Sequence, residues 1–159
     1  MLFRSALDSS VHLSSPRGER IVPFGEFMVG PKRNARAADE IISGVTVPCT
    51  NGYQGYAKVG VRNAMVISIA SACLAVHDNK VRVALGSVGP TIINCRDACE
   101  WLSSRIDTSK ATPSADVATE FAQRCAAEAR PITDHRSTAD YRRHAVSVIV
   151  RRLLERAFS

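Results

Sequence analysis

Two positively charged side chains, Lys58 and Arg62, stand four residues apart in the segment YAKVGVR (residues 56–62). Residues at an even spacing on a β-strand lie on the same face. Lys58 and Arg62 could therefore bring two positive charges to one anionic or electron-rich group. The alternative is that both are solvent-facing strand residues, the usual position of lysine and arginine. The spacing alone leaves both interpretations open.

The other reactive side chains match no known catalytic or metal-binding pattern. The chain has five cysteines and four histidines, but no nucleophile elbow, zinc-type Cys-x-x-Cys or metal-binding helix motif. An odd number of cysteines without a secretory signal predicts free thiols in a reducing compartment. Cys95 and Cys99 could share one helix face, and we interpret the cysteines as buried structural thiols. Because no Gly-rich phosphate loop occurs, the sequence predicts no independent nucleotide site.

Composition indicates an ordinary globular protein of 159 residues, with 45% hydrophobic and 23% charged residues. The net charge of +6 could indicate an acidic partner. An aromatic content of 6% and the lack of a reading motif argue against nucleic acid. The apolar run 64–76 is too short to span a bilayer, and Arg4 and Asp8 interrupt the N-terminal apolar run. We therefore predict no signal peptide, no membrane span and a cytoplasmic location.

The hydrophobic pattern of the second part of the chain predicts three strands followed by three helices. The strands are expected at 55–61, 64–76 and 81–88, and their short connections favour an antiparallel sheet. The helices are expected at 96–105, 114–130 and 137–157, the last one capped by Ser137. The predicted fold is α+β, with a three-stranded antiparallel sheet and three helices.

The first part of the chain reads as short strands and turns. Strands are expected at 11–13, 20–23 and 41–47, with a brief helical turn at 24–28. The polar, Gly-containing segment 49–55 predicts a domain boundary. The expected domains are therefore residues 1–48 and residues 55–159.

Four segments in this order resemble the C-terminal part of a known family, the FAD-carrying medium subunits of molybdenum hydroxylases (the xanthine dehydrogenase and carbon monoxide dehydrogenase group). The segments are ADEIISGVTVP (38–48), KVGVRNAMVI (58–67), RVALGSVGPT (82–91) and DHRSTADYRRH (134–144). The resemblance covers nearly the whole chain. It implies that residues 1–48 are the remnant of an α/β FAD-binding domain and that residues 55–159 are the C-terminal domain of such a subunit.

The resemblance also implies which residues contact the cofactor. Lys58 occupies the position of a lysine beside the isoalloxazine ring, and Ile42 and Ile67 match the other contacting positions. A positive charge at the ring would stabilise the negative charge of the reduced flavin. Arg142 and Arg143 are expected to be structural, clamping the helix start or a subunit contact.

In this family, FAD receives electrons from a 2Fe–2S small subunit, which receives them from a molybdopterin large subunit. FAD then passes them to NAD, a quinone or oxygen. The resemblance places the Gly-rich segments that hold the FAD pyrophosphate ahead of Met1. It therefore implies either a separate N-terminal FAD-domain chain or a truncated product, and weak FAD retention by this chain alone.

Two other functions remain as alternatives. The first is a non-catalytic fragment or assembly module that docks to partner subunits and does not bind FAD alone. The second is a basic nucleic-acid-binding domain, which would show an affinity that falls steeply with salt concentration.

Overall fold

The structure is a computed structural model that describes residues 2–62, 66–108 and 111–159. These residues form five helices and nine strands, joined by turns and loops. The helices are α1 (Leu2–Ala6), α2 (Phe24–Phe27), α3 (Arg96–Arg105), α4 (Ala115–Glu128) and α5 (Ala139–Ala157). The strands are β1 (Ser10–Ser15), β2 (Gly18–Pro23), β3 (Met28–Gly30), β4 (Arg33–Asn34), β5 (Ile41–Thr46), β6 (Gln54–Val59), β7 (Ala70–His77), β8 (Lys80–Gly86) and β9 (Ile93–Asn94). No helix of the described residues is long and apolar enough to cross a membrane.

The N-terminal sheet has the strand order β2-β1-β5, and both pairings are antiparallel. Side chains alternate across a strand, so one face carries the apolar set. This core consists of Val11, Leu13, Val22, Phe24 and Phe27, the last two from α2. The face continues onto β5, where Ile42 lies opposite Leu13 and Val45 lies opposite Val11. Ile42 and Val45 are exposed, so the apolar face runs from the core to the surface.

A buried carboxylate, Glu40, fastens the segment before β5 to β2. Arg20 donates two hydrogen bonds to it, at 2.6 and 2.9 Å, and the backbone N–H of Ala37 donates a third at 2.6 Å. The Arg20 hydrogen bonds, helped by that of Ala37, lower the pKa of Glu40 to about 2. Glu40 therefore stays ionised at neutral pH and fixes the start of β5.

The C-terminal sheet is an antiparallel meander in chain order, β6-β7-β8-β9. A two-residue turn joins β7 to β8, and its residues Asp78 and Asn79 have positive φ angles of 49° and 58°. Positive φ at both positions is the requirement of a type I′ hairpin turn, and Asp and Asn tolerate it well.

The two faces of this sheet are covered by different parts of the chain. One face packs on α3, α4 and α5 and forms the main core, with Leu74, Leu85 and Phe121 among its fully buried side chains. The opposite face packs on α1 through Ala6 and Leu7. β7 is buried along most of its length because it is covered on both faces.

The mixed α+β prediction is confirmed, and its details need correction. The sheet predicted with three strands has a fourth, β9, and α1 and α2 bring the described helices to five. The strand predicted from residue 64 begins at Ala70; residues 63–65 lie outside the described part, and 66–69 are not a strand. The N-terminal sheet is antiparallel, unlike the parallel sheet that an α/β description implies.

The three C-terminal helices lie where the sequence places them. Ser114 caps α4 by accepting a hydrogen bond from the N–H of Val117. The predicted cap of α5, Ser137, is wrong: Thr138 accepts the hydrogen bond from the N–H of Tyr141. The N–H of Ser137 instead donates to the Asp134 carboxylate at 3.1 Å, which keeps it in the preceding turn.

Candidate cofactor site

Lys58 lies on the exposed side of β6, on the face that carries α1. Its ammonium group donates a hydrogen bond to the carbonyl oxygen of Val66 at 3.1 Å. In the sheet register, Lys58 is opposite Ser71 and Ser71 is opposite Gly86. These three residues form one cross-strand row on one face of the sheet. The next row is Tyr56, Cys73 and Ala84.

A cavity of about 490 Å³ opens between this face and α1, and we call it the α1 cavity. Its lining residues are Leu2, Phe3, Tyr56, Ser71, Gly86, Ser87 and Ile92. The small residues Ser71 and Gly86 of the Lys58 row leave this space. A methyl group added at Gly86 would lie 2.7 Å from the Ser71 Oγ and 3.2 Å from the Leu2 Cδ1. Glycine at position 86 therefore keeps the cavity open.

The residues around the α1 cavity suit a flat ring with a negatively charged or polar edge. Phe3 and Tyr56 supply aromatic surface, and Leu2 and Ile92 supply apolar surface. In the sheet register, Lys58 stands beside the cavity-lining residue Ser71 and carries a positive charge. An isoalloxazine ring has this character, so the residues present fit the ring end of FAD. Cavities for small molecules commonly measure about 300–1,000 Å³.

The other sequence-predicted contacts fall into two groups. Ile67 is 62% exposed and directly follows Val66, so the Lys58 hydrogen bond brings it close to the Lys58 side chain. Ile42 is 51% exposed and belongs to the N-terminal sheet, on the apolar face that runs out from Leu13. Lys58 and Arg62 do not share a strand face, because β6 ends at Val59.

Arg142 is a structural clamp, as the sequence predicts. The residue is only 5% exposed, and its Nη1 donates to the carbonyl oxygens of Ile69 at 2.7 Å and Ser87 at 2.8 Å. Its Nη2 donates to the Asp134 carboxylate at 2.8 Å. The backbone N–H of Arg136, together with the Arg142 guanidinium, lowers the pKa of Asp134. The first turn of α5 is thus joined to the start of β7, where the chain returns from the Val66 region.

The cysteines are free, and most are buried as predicted. Cys73, Cys95 and Cys125 are buried and Cys99 is half-buried, whereas Cys49 is exposed and does not follow the prediction. Burial raises the pKa of Cys73 and of Cys99 to about 12, so both stay protonated. Among the described residues, no cluster of histidine, cysteine and acidic side chains could hold a metal ion.

Sequence reasoning missed three residues of the site: Phe3, Tyr56 and Gly86. Tyr56 is two positions before Lys58 on a strand, which places it on the same face and is a signal that was available. Phe3 gave no such signal, because α1 has five residues and shows no helical period. Gly86 is identified only by its register opposite Ser71.

Comparison with known proteins gives the family of the chain. Residues 55–157 match the model of the CO dehydrogenase flavoprotein C-terminal domain family, and residues 2–50 match that of the FAD binding domain in molybdopterin dehydrogenase. These matches place the chain among the flavoproteins of the molybdenum hydroxylase type. The chain belongs to the CO dehydrogenase flavoprotein C-terminal domain family, within the FAD-binding medium subunits of molybdenum hydroxylases.

Individual relatives give the same assignment. The medium subunit of nicotine 6-hydroxylase from Paenarthrobacter nicotinovorans is 29% identical, over 96% of this chain and 53% of the relative. The medium chain of glyceraldehyde dehydrogenase from Sulfolobus acidocaldarius is 26% identical, over 91% of this chain and 51% of the relative. A reconstituted CO dehydrogenase from Oligotropha carboxidovorans superposes with a TM-score of 0.80 at 25% identity, over 98% of this chain and 54% of that one. The chain therefore spans about half the length of these relatives.

Proposed function

We propose that this chain supplies the ring-binding half of the FAD subunit of a molybdenum hydroxylase. The observation that carries the proposal is the Lys58 ammonium group in the row that borders the α1 cavity. Family membership supports FAD as the cofactor. The separate matches of residues 2–50 and 55–157 support a division into domains at 1–48 and 55–159.

When bound, FAD would supply reversible electron uptake and release. Lys58 places a positive charge at the ring edge, which favours the reduced, more negative form. An ammonium group has three N–H donors, and the Val66 carbonyl occupies one of them. Lys58 can therefore bind the ring edge while it holds the Val66 segment. Ile42 and Ile67 are exposed apolar side chains that would exclude water from the ring.

We propose partners from the same family membership. They are a 2Fe–2S small subunit as electron donor, a molybdopterin large subunit that oxidises the substrate, and a chain or segment that holds the FAD pyrophosphate. The acceptor would be NAD, a quinone or oxygen, and the complex would work in the cytoplasm. The named functions of the relatives, nicotine 6-hydroxylase and glyceraldehyde dehydrogenase, support a dehydrogenase or hydroxylase complex.

The test is the visible absorbance of the purified chain after FAD addition and desalting, with titration calorimetry for the affinity. We expect weak FAD retention by the chain alone, and stable retention when the amino-terminal half of a medium subunit is co-expressed. Lys58→Met should weaken FAD binding and lower the flavin reduction potential. Lys80→Met, at the opposite end of the sheet in the β7–β8 hairpin, is the matched control. If the wild-type chain binds no FAD, either alone or with the co-expressed amino-terminal half, the proposal is refuted.

The second candidate function is an assembly module that docks to partner subunits without holding FAD. The exposed apolar face at Ile42 and Val45 favours it, because a large apolar surface usually marks a protein contact. This function predicts that the chain binds the partner subunits with unchanged affinity after Lys58→Met and never acquires a flavin spectrum.

A further inference from the structure

The wall of the α1 cavity contains an aromatic pair that the proposed function leaves unassigned. Phe3 of α1 and Tyr56 of β6 have ring centroids 6.4 Å apart, with their planes tilted by 40°. Tyr56 is 46% exposed, and it lies on the same sheet face as the exposed Lys58. Its neighbour in the row, Cys73, is completely buried under α1. The face is therefore buried at β7 and exposed at the edge strand β6.

The sheet register fixes where this aromatic pair stands relative to Lys58. Tyr56 and Lys58 are two residues apart on β6 and lie on the same face, in adjacent cross-strand rows. The Lys58 row continues through Ser71 and Gly86, two small residues that line the cavity. An aromatic wall, two small residues and a charged edge thus meet at one place.

We infer that Tyr56 and Phe3 hold the isoalloxazine ring of the flavin in the α1 cavity, with the polar edge of the ring toward Lys58. This inference rests on the proposed function. Aromatic rings contact one another in offset or tilted arrangements with centroids about 4.5–7 Å apart, and the Phe3–Tyr56 distance already lies in this range. A flavin ring beside Tyr56 would complete a small aromatic cluster.

The phenol group of Tyr56 should also quench the fluorescence of a flavin bound beside it. A phenol donates an electron readily to an excited flavin and quenches its fluorescence, whereas a phenyl ring does so poorly. Tyr56→Phe would therefore keep the contact surface and lose most of the quenching. Tyr56→Ala would lose both. Fluorescence thus separates contact with the ring from a general effect on folding.

The experiment is a fluorescence titration with riboflavin, which carries the ring without the phosphates, and a parallel titration with FAD. Both are done on the chain alone and with the co-expressed amino-terminal half. Tyr56→Ala should weaken riboflavin binding about three- to ten-fold, as expected for loss of one aromatic contact. Tyr56→Phe should bind riboflavin nearly as well as wild type, with brighter bound flavin.

Tyr141→Ala is the matched control. Tyr141 is 48% exposed, close to the value for Tyr56, but it lies on α5, which packs on the opposite face of the sheet. This variant should leave affinity and fluorescence unchanged. Thermal unfolding of each variant shows whether it is folded, and Tyr56→Phe remains informative if Tyr56→Ala does not fold.

The possible results separate this inference from the proposed function. If wild type binds FAD and Lys58→Met weakens binding, but both Tyr56 variants behave as wild type, the inference is wrong and the proposed function stands. Binding of FAD without any binding of riboflavin would also overturn the inference. If the wild-type chain binds neither riboflavin nor FAD, whether alone or with the co-expressed amino-terminal half, the inference and the proposed function are both refuted. Weakened binding in Tyr56→Ala together with brighter bound flavin in Tyr56→Phe supports the inference.

Discussion

The Arg142 clamp offers the sharpest test of how the fold is held together. Arg142→Ala removes the charged donor from two backbone carbonyl oxygens, those of Ile69 and Ser87. A hydrogen bond from a charged group to a buried acceptor contributes about 1.5–3 kcal/mol. Taking the lower value for each carbonyl, the variant should lose about 3 kcal/mol of the free energy of unfolding. For a protein of this size, the melting temperature should fall by about 6–12 °C.

The adjacent residue provides the control. Arg143 is exposed, and its contact is an ion pair with Asp140 at 3.3 Å. Exposed ion pairs contribute about 0–1 kcal/mol, so Arg143→Ala should leave the melting temperature nearly unchanged. Urea denaturation followed by circular dichroism measures both variants. Equal losses in the two variants, or a loss below about 1 kcal/mol in Arg142→Ala, would refute the clamp. If Arg142→Ala does not fold, Arg142→Lys, which keeps the charge but not the forked geometry, should show an intermediate loss.

Three further perturbations test other parts of the structure. The Arg20 hydrogen bonds are the main cause that lowers the pKa of Glu40 from the ordinary 4.5 to about 2. The ionised Glu40 carboxylate should therefore contribute fully to the free energy of unfolding above about pH 4.5, and this contribution should fade as the pH falls toward 2. Glu40→Gln should flatten this fall in urea denaturation, and an unchanged pH profile would contradict it. A thiol reagent should react quickly with one cysteine of the native protein, the exposed Cys49, and Cys49→Ser should abolish this fast reaction. Burial raises the pKa of Cys73 to about 12, so fast modification of Cys73 would show that this thiol is not buried. Phe121→Ala, at a fully buried core position, should cost about 3–5 kcal/mol in chemical denaturation, and a loss below about 1 kcal/mol would place Phe121 outside the core.

The C-terminal helices were predictable because their sequence carries local signals. Ser114 precedes an amphipathic stretch, and Pro131 follows it, so α4 could be bounded at both ends. The error at the start of α5 arises because Ser137 and Thr138 are both good capping residues. Which of them caps depends on Asp134, whose carboxylate holds the N–H of Ser137 in the preceding turn. A side chain in that turn decides the boundary.

The start of β7 could not be read from the sequence. The apolar run 64–76 has no local break, so hydrophobicity alone extends the strand across it. In the structure, the N–H of Ile69 donates to the carbonyl of Val59 at 2.7 Å, and the first paired residue of the strand is Ala70, opposite Val59. The register with β6, which is a long-range contact, therefore determines where the strand begins.

The candidate site was predicted unevenly for the same reason. Lys58 bonds to Val66, the residue before Ile67, and these residues are close in the chain. The α1 cavity depends on a five-residue helix at one end of the chain and on the pairing of Ser71 with Gly86. Neither the helix nor the pairing leaves a periodic signal in the sequence. Resemblance to the family supplied the lysine, and only the fold supplied the aromatic wall beside it.

The long sequence separation within the Arg142 clamp has a consequence for synthesis on the ribosome. Arg142 joins Ile69, which is 73 residues earlier in the chain. The sheet can pair as soon as β6 to β8 have emerged, because its strands follow one another in order. Its helix-facing side stays incompletely covered until α5, which packs on β6 and β7, leaves the exit tunnel, at about 5–20 residues per second. We expect the nascent chain to need chaperone protection for several seconds, and truncation ahead of α5 to leave it prone to aggregation.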